Sequence, residues 1–98
     1  MFVTNMKSPR TGNPVANQFI LSFTNGYVFQ SYRAIVAAKL DGVTYITEDW
    51  EYSKTTMKYV KEFLNTTASA KIIRERIEDG RYKLVTGKEI RNMVEGQQ

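Results

Sequence analysis

The sequence predicts a single α+β domain: an antiparallel meander of about four strands, followed by two or three helices that pack on the sheet. Two turn signals and one capped amphipathic run carry this expectation. Asn25-Gly26 and Asp41-Gly42 each lie between apolar runs. Such pairs favour type I′ hairpin turns, which need positive φ at both central residues. From Ser53 onward, apolar residues recur at helical spacing. A chain of 98 residues fits one domain over 1–98.

Taken in order, residues 2–6 suit a first strand. Residues 7–16 hold Pro9, Gly12, Asn13 and Pro14, so a loop is expected there. Its cations Lys7 and Arg10 are candidate contact residues. Residues 17–32 form the central hairpin. A tight Asn25-Gly26 turn sets Thr24 opposite Tyr27, Phe23 opposite Val28, Leu21 opposite Gln30 and Phe19 opposite Tyr32. Phe19, Leu21, Phe23, Val28 and Tyr32 then share one face and seed a core. Ile20, Tyr27 and Phe29 share the other with Ser22, Thr24 and Ser31.

Asp41-Gly42 joins residues 34–40 to 43–47, pairing Leu40 with Val43, Ala38 with Tyr45 and Val36 with Thr47. Residues 34–40 also suit a short helix. Strand is preferred because Ile35, Val36 and the Asp-Gly punctuation agree. Glu48 to Tyr52 is an acidic, aromatic connection. Ser53 caps a helix over 54–65, with Met57, Val60 and Leu64 inward, widened by Tyr59 and Phe63. A second helix over 70–79 turns Ile72, Ile73 and Ile77 inward, with Lys71–Glu75 and Arg74–Glu78 as i, i+4 pairs. Gly80 stops it. Residues 82–85 suit an edge strand. Thr86 and Glu89 fit a capping box for a last helix bearing Ile90, Met93 and Val94.

Composition excludes more than it assigns. The chain has no cysteine and no histidine. Disulfides, zinc held by His or Cys, cysteine nucleophiles, Ser-His triads and imidazole acid–base steps are therefore impossible. An enzyme would have to use carboxylates, lysine, tyrosine or hydroxyls. No apolar run approaches the ~18 residues that span a bilayer, and no signal-peptide pattern opens the chain. The formal charge of +4 and a pI of about 9.4 favour acidic partners, nucleic acid or protein.

Asp41, Glu48, Asp49 and Glu51 lack the alternating ladder and glycine bend of a metal loop, so they read as a solvated connection. No metal and no cofactor is expected. Ser53-Lys54-Thr55-Thr56 lacks the glycines of a phosphate loop. Asn65-Thr66-Thr67 fits a glycosylation sequon without a secretory context. Lys54, Lys58 and Lys61 fall at i, i+4 and i+7, either a solvated face or a set of weak phosphate contacts that Arg10, Arg33 and Lys39 extend. Six Tyr, five Phe and one Trp exceed what a small core needs. The face bearing Tyr27 and Phe29 would then stack bases, anchor a protein partner, or lie covered by the helices.

Four segments carry a resemblance: Thr11-Gly12-Asn13-Pro14 leading to Asn17-Gln18-Phe19, then Phe29-Gln30-Ser31-Tyr32, Trp50-Glu51-Tyr52-Ser53, and Thr55-Thr56-Met57-Lys58-Tyr59 leading to Phe63-Leu64. Together they resemble a family of small bacteriophage-encoded proteins of uncharacterised activity. The resemblance covers the first two-thirds of the chain. Such proteins usually carry Asp where Glu51 stands. It implies a phage product acting in the host bacterial cytoplasm, with Ser53 as a cap, Trp50 and Tyr59 as packing, and Asn17 and Gln18 as strand-end hydrogen bonders.

The expectation is therefore a non-enzymatic inhibitor of a host protein, such as a defence nuclease, in the manner of anti-CRISPR and other anti-defence proteins. Its candidate contacts are Lys7, Arg10, Tyr27, Phe29, Arg33, Lys54, Lys58 and Lys61. The alternative is a small basic nucleic-acid-binding module using the same aromatics and cations.

Overall fold

The computed structural model describes residues 1–96. Strands β1 (Phe2–Lys7), β2 (Pro14–Phe23), β3 (Gly26–Ser31), β4 (Ala34–Leu40), β5 (Val43–Ile46) and β6 (Lys83–Leu84) form one sheet in sequence order. The fold is α+β, with six strands rather than about four. The first five pair antiparallel, and β6 joins β5 in parallel. A parallel neighbour needs a crossover. A 3₁₀ helix (Glu48–Glu51), α1 (Lys54–Leu64) and α2 (Ala70–Glu78) supply it, and α3 (Gly87–Met93) follows β6.

Helices cover both faces of the sheet. On one, Phe29, Val36, Ala37 and Ile46 pack with Trp50, Tyr59, Val60, Phe63, Leu64 and Ile73 from the crossover. On the other, Val28, Ile35, Ala38 and Leu40 pack around Ile90 of α3. This explains the sequence of β4, where Ile35, Val36, Ala37 and Ala38 are buried in succession. A strand covered on both sides loses the alternation of a half-exposed one. The expected core face, with Phe19, Leu21 and Phe23 half-buried, is thus the smaller of two. The larger core lies on the Phe29 side.

The two turn signals behave differently. Asp41 and Gly42 have φ of 52° and 79°, and Leu40 pairs with Val43 and Ala38 with Tyr45, as a type I′ turn requires. At the first hairpin Phe23 pairs with Gly26 and Leu21 with Val28. Thr24 and Asn25 therefore make the turn, and the expected register is wrong by two residues. A slip of two keeps every side chain on its face. The cause is tertiary. A Cβ on Gly26 would lie 1.9 Å from the Lys39 carbonyl oxygen, so the glycine is needed in the ladder. Asn25 donates through Nδ2 to Asp41 Oδ2 (3.0 Å) and to the Met93 carbonyl (2.9 Å). Its Oδ1 accepts from the Glu95 amide at 2.8 Å.

The first loop is shorter than 7–16, because β2 begins at Pro14. Proline is tolerated at the first residue of a strand. The pairing of β1 and β2 is irregular between Asn5 and Lys7, and Asn17 adopts φ 64° there. The Asn5 side chain fills the gap, donating to the carbonyls of Val15 and Gln18.

Ser53 caps α1, its hydroxyl accepting from the Thr56 amide at 3.1 Å, and Asn65 ends the helix with φ 55°. Thr86 caps α3, accepting from the Glu89 amide at 3.1 Å. In α2 only part of the expected stripe is inward: Ile73 is buried and Ile72 is exposed. Arg74 reaches Glu51 at 2.8 Å rather than Glu78 and lies over the Trp50 ring, tying α2 to the 3₁₀ helix. Among the described residues, no helix is long and apolar enough to cross a membrane.

Candidate functional site

Ser31 pairs with Ala34, leaving Tyr32 and Arg33 as a two-residue turn between β3 and β4. Tyr32 has φ 57°. Positive φ in a two-residue hairpin turn is a position that glycine or asparagine usually fills. A tyrosine there is strained by about 1–2 kcal/mol. It is held in place by its amide, which donates to the Asn17 carbonyl at 2.7 Å. The Gln30 side chain donates to its carbonyl at 3.0 Å.

Opposite this turn stands Tyr52, between the 3₁₀ helix and the cap of α1. The two rings meet edge-on, centroids 6.1 Å apart with 63° between planes. Both remain open to solvent, Tyr32 at 42% and Tyr52 at 72% relative exposure. Three hydroxyls fix the distance between their backbones. Ser31 Oγ and Thr56 Oγ1 share a hydrogen bond of 2.9 Å, and Thr56 Oγ1 shares another of 3.0 Å with Ser53 Oγ. Ser31 precedes Tyr32 and Ser53 follows Tyr52, so the chain of hydroxyls clamps one tyrosine against the other.

Between them lies a cleft of about 480 Å³, floored by Ala34, Val36, Ser31 and Thr56 and rimmed by Tyr32, Arg33, Asp49 and Tyr52. The floor thus sets the apolar Ala34 and Val36 beside two hydroxyls that bond to each other. Among the described residues no ion pair engages Arg33 or Asp49. The Asp79–Arg81 pair, in which hydrogen bonds from Arg81 hold the Asp79 carboxyl below its ordinary range, is not part of this lining. Thr56→Val keeps the shape and removes two hydrogen bonds. It leaves Ser31 buried without its partner, so a loss of about 1–3 kcal/mol is expected in urea denaturation.

A second, shallower groove of about 420 Å³ follows the outer side of α1, lined by Lys54, Met57, Lys58, Lys61 and Glu62 with Thr66 and Thr67. The helical spacing expected of the lysines is realised, and Lys58 also lies over the Tyr59 ring. Lys54 follows Tyr52 by two residues in the chain, but the groove and the cleft share no lining residue.

The candidate contacts are distributed unevenly. Arg33 lines the cleft, and Lys54, Lys58 and Lys61 line the separate groove on the outer side of α1. Lys7 and Arg10 are exposed, and the antiparallel order places their loop at the same end of the sheet as the Tyr32–Arg33 turn. Tyr27 is exposed (52%) but sits at the opposite end, paired with Lys39. Phe29 is excluded as a surface contact: it is 0% exposed, stacked on Phe63 of α1 with centroids 5.9 Å apart. The helix layer covers the face on which it was expected to be free.

Gln18 acts as a hydrogen bonder through its backbone carbonyl, which accepts from Asn5 Nδ2, and not through its side chain. Its side chain is buried, and neither amide atom has a hydrogen-bond partner among the described residues, because it points from β2 into the core opposite Ser31. Tyr32 leaves the strand face expected of it for the turn. Tyr32, Tyr52 and Asp49 are the cleft residues that residue chemistry did not single out as contacts. The signal lay in the Phe-Gln-Ser-Tyr and Trp-Glu-Tyr-Ser strings, distant in sequence and adjacent in space. The carboxylates remain dispersed: among the described residues no group of three or more acidic side chains is placed to hold a metal ion.

Residues 1–80 match the model of a family of unknown function, DUF8033, and the chain belongs to that family. The matched span contains the whole cleft and all of α1. No curated protein and no solved structure matches the chain.

Proposed function

We propose that this family member is a non-enzymatic binding protein whose contact surface is the Tyr32–Arg33–Tyr52 cleft together with the lysine side of α1. The observation that carries the reading is a solvent-open arrangement of two tyrosines in edge contact beside an arginine that has no ion pair among the described residues. Tyrosine and arginine dominate the energetic centres of protein interfaces. Holding a tyrosine at positive φ stores strain that a purely structural turn would relieve with glycine. The floor hydroxyls engage each other rather than a base, and the chain has no histidine or cysteine, which supports binding over catalysis.

The partner we infer is a protein with an acidic docking face, met in the cytoplasm of a bacterium. The resemblance to phage-encoded proteins supports a host target such as a defence nuclease, inhibited by occlusion. Affinity capture from bacterial lysate tests this, with Arg33→Glu as matched bait. A stoichiometric protein retained by the natural chain and lost on the variant is expected. Equal retention, or no stoichiometric protein, would overturn the reading.

One observation favours a second reading. Phe2, Ser22, Tyr27, Lys39 and Thr44 align across the sheet in one row, where the Lys39 ammonium lies over the Phe63 ring of α1 and Phe2 and Tyr27 are exposed. Such a row suits single-stranded nucleic acid. In that case oligonucleotide affinity falls steeply with salt and depends on Tyr27 rather than Tyr52.

A further inference from the structure

We propose that β1 is the pairing edge for a second copy of this chain, joined antiparallel about a twofold axis at Val3, so that two sheets run on as one. This goes beyond the cleft, none of whose lining residues lies on β1, and does not depend on it.

β1 is an outermost strand of the sheet. Alternate residues of such a strand turn their N–H and C=O groups away from the neighbour, free to pair with another strand. Edges that stay single are usually blunted by charge, proline or a bulge. Here those devices come late. The pairing with β2 is regular from Phe2 to Asn5 and breaks only before Lys7, with Pro9 beyond, and residues 1–6 carry no charged side chain. Phe2 is 77% exposed and Val3 57%.

What lies behind this edge selects a second copy as the occupant. Thr4 is beside Ile20 and Val3 beside Leu21. Ile20 and Met6 are half-buried margins of the core on the Phe29 side, and Leu21 is a margin of the core on the Ile90 side. Both cores therefore run out at β1 with apolar side chains only partly covered. Pairing about Val3 sets Val3 against the other copy's Val3, and Phe2 against its Thr4. One face gains an unbroken apolar row, Leu21 and Val3 of one copy meeting Val3 and Leu21 of the other. On the opposite face each Phe2 ring lies beside the other copy's Thr4, with its Met6 in diagonal reach. Each copy thus covers in its partner what it leaves open in itself, as a twofold contact requires.

The register follows from the same residues. Side-chain alternation allows the axis to move only in steps of two in the pairing sum, from Val3 to Thr4. An axis at Thr4 would set Phe2 against Met6, where the ladder is irregular. An axis at Val3 keeps the pairing within the regular stretch and leaves Lys7 outside it, so no two cations are opposed. Each copy carries a net charge of +4, so apolar surface holds the contact against overall repulsion, and added salt should strengthen it.

Sedimentation equilibrium of the full chain tests this from about 1 μM to about 1 mM, where a small interface becomes half-formed. The mass is expected to rise from one copy to two and stop. Val3→Lys sets two ammonium groups face to face and should raise the dissociation constant by about tenfold or more. Leu84→Lys, equally exposed at 57% but on the other edge of the sheet, should leave it unchanged. Circular dichroism checks that both variants fold. A second readout uses the absence of cysteine from the chain. Opposed Cα atoms lie about 4.5–5.5 Å apart in an antiparallel pair, within the reach of a disulfide. Mild oxidation should therefore link Val3→Cys into dimers about tenfold faster than Leu84→Cys. A single-copy mass at every concentration would overturn the inference. So would equal dissociation of the natural chain and Val3→Lys, or equal linking of the two cysteine variants. A mass that grows past two copies would also overturn it, since it would mark β1 pairing with the β6 edge in an open chain.

Discussion

Gly26→Ala is expected to lose about 3–5 kcal/mol, a large part of the net stability of a domain this size. The added Cβ would lie 1.9 Å from the Lys39 carbonyl oxygen and 3.1 Å from the Leu40 Cα. Both obstacles are backbone, so no side-chain rotation can relieve them. They belong to β4, which is packed on both faces, and the strand cannot retreat without opening a core. The residue also holds φ 148°, which an L side chain rarely adopts. Gly42→Ala is the control. It too sits at positive φ, but nothing lies within 4 Å of its added Cβ. Its cost should be the conformational one alone, about 1 kcal/mol. Urea unfolding of both variants, at matched slopes, checks the contrast, and equal midpoints would show that the approach of β3 to β4 is not tight.

Tyr52→Ala carries the largest expected effect on binding: about 2 kcal/mol or more, roughly thirtyfold in affinity, with the thermal midpoint nearly unchanged. The ring is 72% exposed, and exposed truncations usually shift stability by less than about 0.5 kcal/mol. Tyr32→Gly should separate the two properties further. It removes the strained side chain at φ 57°, so stability should hold or rise by up to about 1 kcal/mol. Binding should fall as it does for Tyr52→Ala. A fall in both stability and affinity would assign Tyr32 a packing role. Calorimetric melting beside titration of the captured partner decides between them.

The strand and helix inventory was largely legible because it rests on local chemistry. Asp41-Gly42, the Ser53 and Thr86 caps and the Gly80 stop need only their neighbours, and each does what its residue type allows. Asn25-Gly26 presents the same local signal and misleads, because the Lys39 carbonyl and the Met93–Glu95 segment are distant in sequence and compete for it. Phe29 misleads for a related reason. A hairpin alone has two faces to distribute, and only the crossover through α1 decides which is covered.

The cleft was legible in parts. Arg33 and the lysines stand out in the sequence as cations, whereas Tyr32 and Tyr52 acquire meaning only once the Ser31–Thr56–Ser53 hydroxyls bring them together. An exposed tyrosine in a strand-like run is indistinguishable from a core tyrosine until the turn beneath it is placed.

The clasp made by Asn25 bears on how the molecule ages. An asparagine followed by glycine ordinarily deamidates readily, since the next backbone nitrogen can attack the side-chain carbonyl through a succinimide. In the folded chain that carboxamide is held at both ends, by Asp41 and Met93 on nitrogen and by Glu95 on oxygen. Any rotation of that group breaks its hydrogen bonds to the segment that follows α3. Tertiary structure thus shelters a chemically fragile dipeptide, and loosening the C-terminal segment would set its clock running.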